Sequence, residues 1–189
     1  PVISDKEKIL AFCQNTVSWG DYVNEVYDSW IDEGELAILE QDGMPIGMCH
    51  GVTYLDERML WIEGIRIHHD YRRNGLAEKI IQYIERNAKN SGIIYASMLI
   101  ESENKPSLSL AEKTGYHIKA KWNYFALESK KNSITTMFDS ISFDELDHNI
   151  IHYVDSWRWI PIIKSNFERL NSKNNIIFWT MKIYNNISK

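Results

Sequence analysis

Cysteine is scarce: Cys13 and Cys49 are the only two in 189 residues, and neither lies in a Cys-x-x-Cys pair or beside a second histidine at ligand spacing. That sets aside a disulfide framework and a cysteine-based metal site, and a reducing compartment is expected. There is no run of about 18 apolar residues of the kind that spans a bilayer. The opening PVISDKEKILAFCQ has no basic stretch followed by an apolar block. Neither a membrane partner nor an export signal is therefore expected, and the location reads as cytosolic. Positive charge is also in short supply, with 21 Lys and Arg against 26 Asp and Glu and a net charge of -5. Nucleic acid, which draws on a basic surface to displace counterions, is not an expected partner. What is present is a chain with 44% hydrophobic residues, enough for one substantial core.

Ser4-Asp5-Lys6-Glu7 has the spacing of a capping box and predicts a first helix from Asp5. A second is predicted from Asp21 to near Gly34, where Tyr22, Val23, Val26, Tyr27, Trp30 and Ile31 recur at helical spacings. This aromatic stripe reads as core or, in part, as the lining of an acceptor pocket. From Glu35 the period turns to strands: ELAILEQ, a turn at Asp42-Gly43, MPIGMCHGVTYL, and MLWIEGIRIH, together an antiparallel meander. LAEKIIQYIERNAKN then puts Leu76, Ile80, Ile81, Ile84 and Ala88 on one helical face. IIYASMLIE reads as an interior strand, KPSLSLAEKTG as a short helix ended by Gly115, and YHIKAKWNYFAL as a further strand.

Past about residue 129 the character changes. SKKNS is a polar connector, Ser142-Phe143-Asp144-Glu145 predicts a helix to about Asp155, Pro161 is placed to begin another, and IIFWTMKIY reads as a strand. The organisation expected is an α/β core over residues 1–129 and a C-terminal extension over 130–189, helical and then a strand. That extension reads as a cap, a dimer arm or part of a larger lobe, which puts a homodimer among the expected partners.

The stretch HHDYRRNGLAEKI carries the sharpest chemical signal. Gly75 and Ala77 leave backbone nearly bare at the entrance of a helix, and Arg72 and Arg73 stand beside it. A helix start offers unpaired N–H groups and a positive dipole end, so an anion fits there. The bland alternative is a turn with two solvated arginines. The pattern is neither a mononucleotide P-loop, lacking GK[ST], nor a GxGxxG dinucleotide turn.

Arg72-Arg73-Asn74-Gly75-Leu76-Ala77, preceded by Ile65-Arg66-Ile67, resembles the acetyl-CoA-binding motif [RQ]-x-x-G-x-[GA] of the Gcn5-related N-acetyltransferase (GNAT) family. Asn104, Lys113, Gly115 and Tyr116 fit the family's later segment, and the order of elements from residue 5 to about 127 agrees. The resemblance implies a mixed, mostly antiparallel sheet that splays between its fourth and fifth strands. It implies acetyl-CoA as co-substrate, its diphosphate on the N–H groups of residues 72–77. The pantetheine arm would run along the backbone of Ile65, Arg66 and Ile67 and touch Asn104. A tyrosine that many members place seven residues after the asparagine is Ala111 here, so the usual general acid is missing; Tyr116 and Tyr124 are the nearby phenols.

Acetyl transfer to an amine requires stripping a proton from an ammonium of pKa near 10.4, which costs about 4–5 kcal/mol at neutral pH. A carboxylate near the amine supplies the path. In MLWIEGIRIH, alternation places Trp61, Glu63, Ile65 and Ile67 on one face, so Glu63 is an acid among apolar neighbours and its pKa is expected to rise. WIEGIRI resembles the E-G-I-x-V pattern of aminoglycoside and related small-amine acetyltransferases, which makes Glu63 the candidate base or amine anchor and the Ile67 N–H the oxyanion donor. Trp61, Trp30 and Tyr27 are the candidates for the acceptor pocket. His68 and His69 read as a solvent-facing turn, with no metal expected. Trp122, Trp157 and Trp159 either roof an acceptor pocket or fill a second small core.

Overall fold

The computed structural model describes residues 5–14, 20–121, 142–145, 152–155 and 157–172. The chain divides into two compact units, residues 1–120 with 156–158, and residues 121–155 with 159–189. The boundary expected near residue 129 lies outside the described residues.

The first unit is built on a four-stranded sheet: β1 (Leu36–Gln41), β2 (Met44–Tyr54), β3 (Met59–Ile67) and β4 (Tyr95–Ser97), in that spatial order. β1 to β3 form the expected antiparallel meander. Asp42 and Gly43 both take positive φ, 51° and 75°, the two-residue turn whose twist suits a hairpin. β4 is reached through a crossover helix, α3 (Leu76–Asn90), and pairs parallel to β3.

Helices cover both faces. α1 (Lys6–Cys13) and α2 (Val23–Glu33) bury Ile9, Phe12, Val23, Tyr27 and Trp30 against Met48. On the other side α3 lays Ile80, Ile81, Ile84 and Ala88 over Cys49, Leu60 and Ile62. Neighbouring Met48 and Cys49 thus serve opposite cores, the two-residue period of a strand buried on both faces. Among the described residues no helix is long and apolar enough to cross a membrane.

The strand predicted over IIYASMLIE shrinks to Tyr95–Ser97, paired with β3 only from Met59 to Trp61. Beyond Trp61 that edge of β3 has no strand against it among the described residues. The splay expected between the family's fourth and fifth strands therefore falls between β3 and β4. α4 (Lys105–Lys113) follows, and Gly115 at φ 90° ends it as predicted. Residues 116–121 are not strand, and the remainder of YHIKAKWNYFAL lies outside the described residues.

β5 (His152–Asp155) pairs with β6 (Arg158–Pro161), whose first residue, Arg158, belongs to the first unit and the rest to the second, where α5 (Lys164–Ser172) follows. Phe143, in a 3-10 turn at Phe143–Glu145, meets Phe167 of α5 edge to face at 5.6 Å. The helix predicted from Ser142 to Asp155 is a 3-10 turn at Phe143–Glu145 and strand over His152–Asp155, where His152-Tyr153-Val154 favours a pleated surface over a helical one. Pro161 closes β6 instead of opening a helix: buried Asn166 donates to the Pro161 carbonyl at 2.6 Å and accepts from the Ile163 N–H at 3.1 Å, delaying α5 to Lys164. SKKNS and IIFWTMKIY lie outside the described residues.

Candidate active site

β2 and β3 run in register from Tyr54 opposite Met59 to His50 opposite Glu63, then resume at Met48 opposite Arg66. Gly64 and Ile65 therefore stand against Cys49 alone, a bulge with Gly64 at φ 65°. A Cβ at Gly64 would collide with the Trp30 indole, so both backbone and space require glycine. The extra residue reverses the expected alternation. Trp61 and Glu63 do share a face, with the Trp61 Nε1–H donating to Glu63 Oε2 at 3.1 Å. Ile65, however, packs with Leu60 and Ile62 against α3. Arg66 has its guanidinium committed to Asp21, Nε to Oδ2 at 2.8 Å, which leaves only its backbone for a cofactor.

Glu63 is 15% exposed and holds three side-chain donors. His50 Nδ1 lies 3.0 Å from Oε1, and with Glu63 ionised that nitrogen carries the hydrogen. Arg158 Nη2 donates to the same oxygen at 2.6 Å and Arg158 Nε reaches both oxygens at 3.2 and 3.3 Å. The far edge of the guanidinium is bidentate to Glu33, at 3.0 and 2.8 Å. His50 is fully buried and stacks on Trp30 at 4.8 Å. Its Nε2 makes no hydrogen bond; it stands 3.5 Å from Glu33 Oε2, a proximity without hydrogen-bond geometry.

Burial pushes the Glu63 carboxyl up, but hydrogen bonds from His50 and Arg158 together with the Arg158 charge outweigh it and hold the group below the usual carboxylate range. The expected rise is reversed. Alternation along β3 shows the apolar neighbours, while the cation comes from a residue 95 positions away. His50, Glu33 and Arg158 were not foreseen as site residues. The available signals were a lone histidine inside the buried run GMCHGV and an arginine between two tryptophans in WRWIP.

At the other end of β3 the geometry is backbone geometry. The His68 N–H donates to the Ile46 carbonyl at 2.8 Å, so Ile67 and Gly47 form a wide pair of the ladder and the Ile67 N–H faces away from β2, toward the open edge. A 3-10 turn at His69–Tyr71 follows, tied back by Arg72 Nε to the Ile67 carbonyl at 3.1 Å. Arg73 and Gly75 take φ of 64° and 72°, and the Lys79 N–H makes its helical bond to Gly75 at 3.1 Å. The N–H groups before it begin without intrahelical acceptors, at the positive end of the α3 dipole, in a turn of the kind that cradles anions. Among the described residues nothing lies within 4 Å of a Cβ built on Gly75, which leaves room for a ligand against this backbone.

The remaining candidates divide. Trp61 and Trp30 are buried beside Glu63 and His50, whereas Tyr27 has no exposed surface and packs in the α1 and α2 core. Asn104 caps α4, its Oδ1 accepting from the Ser107 N–H at 3.2 Å. Ala111 is buried. The Tyr116 hydroxyl donates to Glu85 at 2.6 Å, and burial followed by that carboxylate pushes its pKa far up. His68 and His69 stack on each other at 4.4 Å in the expected turn. Trp157 is exposed and Trp159 half-buried; Trp122 and Tyr124 lie outside the described residues.

The model of the acetyltransferase (GNAT) family matches residues 7–116. No curated protein matches the chain in sequence. Among solved structures, an aminoglycoside 6′-N-acetyltransferase from Acinetobacter haemolyticus is similar over 69% of this chain and 97% of its own, at 17% identity and a TM-score of 0.54. The ribosomal-protein-S18-alanine N-acetyltransferase of Escherichia coli is similar over 61% of this chain and 73% of its own, at 15% identity and a TM-score of 0.51. A Thermoplasma acidophilum protein assigned as an acetyltransferase is 22% identical over 60% of this chain, with a TM-score of 0.50, and this chain spans 50% of it. At these identities the likeness is one of fold.

Proposed function

Because the chain belongs to the GNAT family of acetyltransferases, we propose that it transfers an acetyl group from acetyl-CoA to a primary amine of a small molecule, an amino acid or an aminoglycoside-like compound, by direct attack within a ternary complex. The observation that carries this reading is the edge of β3 beyond Trp61, unpaired by any strand among the described residues, with an ionised, nearly buried carboxylate at one end and an anion-ready helix entrance at the other. In this reading the N–H groups between Arg72 and Ala77, including those of Arg73, Asn74 and Leu76, hold the diphosphate. The backbone of Ile65 and Ile67 guides the pantetheine arm, Asn104 flanks it, and the Ile67 N–H receives the developing oxyanion.

Glu63 takes the acceptor's ammonium and, directly or through water, its proton; Trp61 and Trp30 wall the pocket. Ala111 has no hydroxyl and Tyr116 is held by Glu85. In this reading water supplies the proton to the thiolate, a good leaving group; Tyr124, the other nearby phenol, lies outside the described residues. A reducing compartment such as the cytosol suits two buried cysteines outside any disulfide. A protein N-terminus or lysine as acceptor is the second reading, the N-terminus favoured by the likeness to the S18-alanine enzyme.

Free thiol released from acetyl-CoA in the presence of small amines, amino acids, aminoglycosides and a peptide N-terminus tests the proposal. Release with a small amine supports it, and release with the peptide alone selects the second reading. Coenzyme binding with no release under any condition would make the protein a non-catalytic acyl-CoA sensor.

A further inference from the structure

If Glu63 receives the acceptor amine, as proposed above, then its place is already taken. Arg158 covers both Glu63 oxygens with one edge of its guanidinium and both Glu33 oxygens with the other, at 2.6 to 3.3 Å, while its side chain is only 11% exposed. One cation between two carboxylates is strongly held, because the charge-assisted bonds act as a bidentate pair on each side. The pocket also keeps one polar atom unpartnered among the described residues: His50 Nε2, wholly buried, stands beside Glu33 without a hydrogen bond. The backbone beside the plug is strained as well. Trp157, an exposed tryptophan, sits at φ 73°, a region bulky side chains seldom occupy.

We propose that Arg158 is a resident cation seated where the acceptor's charged amine belongs, and that the acceptors are amines with a second positive charge close by. A monoamine entering the pocket replaces the Glu63 contacts and leaves Glu33 facing a displaced guanidinium. A short diamine replaces both sets, since the two carboxylates are close enough for one guanidinium to touch both. Displacement also removes from Glu63 the cation that makes it a weak base, so the acceptor that wins the seat meets a carboxylate better able to take its proton.

The test compares n-propylamine with 1,3-diaminopropane in wild type, Arg158→Ala and Glu33→Gln, reading thiol release and acetyl-CoA affinity. Wild type should prefer the diamine by about tenfold in kcat/KM, the worth of one charge-assisted contact. Arg158→Ala should raise kcat/KM for propylamine by a similar factor and shrink the preference, with coenzyme affinity unchanged; Glu33→Gln should erase the preference. Methylguanidine, too poor a nucleophile to be acetylated, should bind Arg158→Ala and not wild type, seen through the emission of Trp61 and Trp30. A fall in kcat/KM for both amines in folded Arg158→Ala, or no methylguanidine binding, overturns the proposal. Should that variant fail to fold, an unchanged diamine preference in Glu33→Gln overturns it instead. Methylguanidine binding without any thiol release would sustain the plug and reject the enzymatic reading.

Discussion

Between Arg72 and Ala77 the chain presents bare backbone with open space around Gly75, whereas Glu63 already holds hydrogen bonds from His50, Trp61 and Arg158. The first region can accept an anion without giving anything up. The second must release a partner before a cation enters. One site thus combines a generic grip on the coenzyme with a selective, competitive seat for the acceptor, and substitutions at the two ends should have separable effects.

Glu63→Gln should cut turnover by about 10²–10⁴-fold, the range for losing a general base, while acetyl-CoA affinity stays within about twofold. A parallel loss of both would break the separation. Gly64→Ala should lower stability by about 3 kcal/mol, combining crowding against Trp30 with a left-handed backbone, and show as a drop in Tm. An unchanged Tm would mean the bulge is not held against Trp30. Gly75→Glu puts a side chain on φ 72° and an anion into the anion seat. It should weaken acetyl-CoA binding by about 30-fold or more, with Arg72→Ala smaller at about fivefold, both measured by calorimetry.

The smallest effect concerns acid. Glu63 titrates below its ordinary value in the folded protein, so its contribution to stability is complete above the usual carboxylate pKa and is lost as pH falls through the depressed folded value. Urea unfolding between pH 7 and pH 3 should lose a component in wild type that Glu63→Gln lacks. Identical profiles would show that Arg158 does not hold Glu63 ionised.

The same contrast explains what is legible in the sequence. The loop and α3 are contiguous, so Arg72 to Ala77 and the stripe Ile80, Ile81, Ile84 and Ala88 were legible from spacing alone. The pocket draws Glu33, His50, Glu63 and Arg158 from four segments, and no local pattern announces that the last reaches the third. Gly64 was visible as a glycine inside a strand, but strict alternation carried past it placed Ile65 on the wrong face. The interior strand was overextended because an apolar run does not show where the chain leaves the sheet after Ser97. Phe143–Glu145 met the sequence rule for a helix start, yet a 3-10 turn satisfies the same residues.

A crystal structure with CoA and 1,3-diaminopropane bound together tests the account most directly, since the free thiol cannot react and both ligands persist. The account predicts the diphosphate on the N–H groups between Arg72 and Ala77, the thiol beside the open edge of β3, and an ammonium at Glu63 with the Arg158 guanidinium moved off it. A diphosphate bound elsewhere, or a diamine that avoids Glu63, would contradict it.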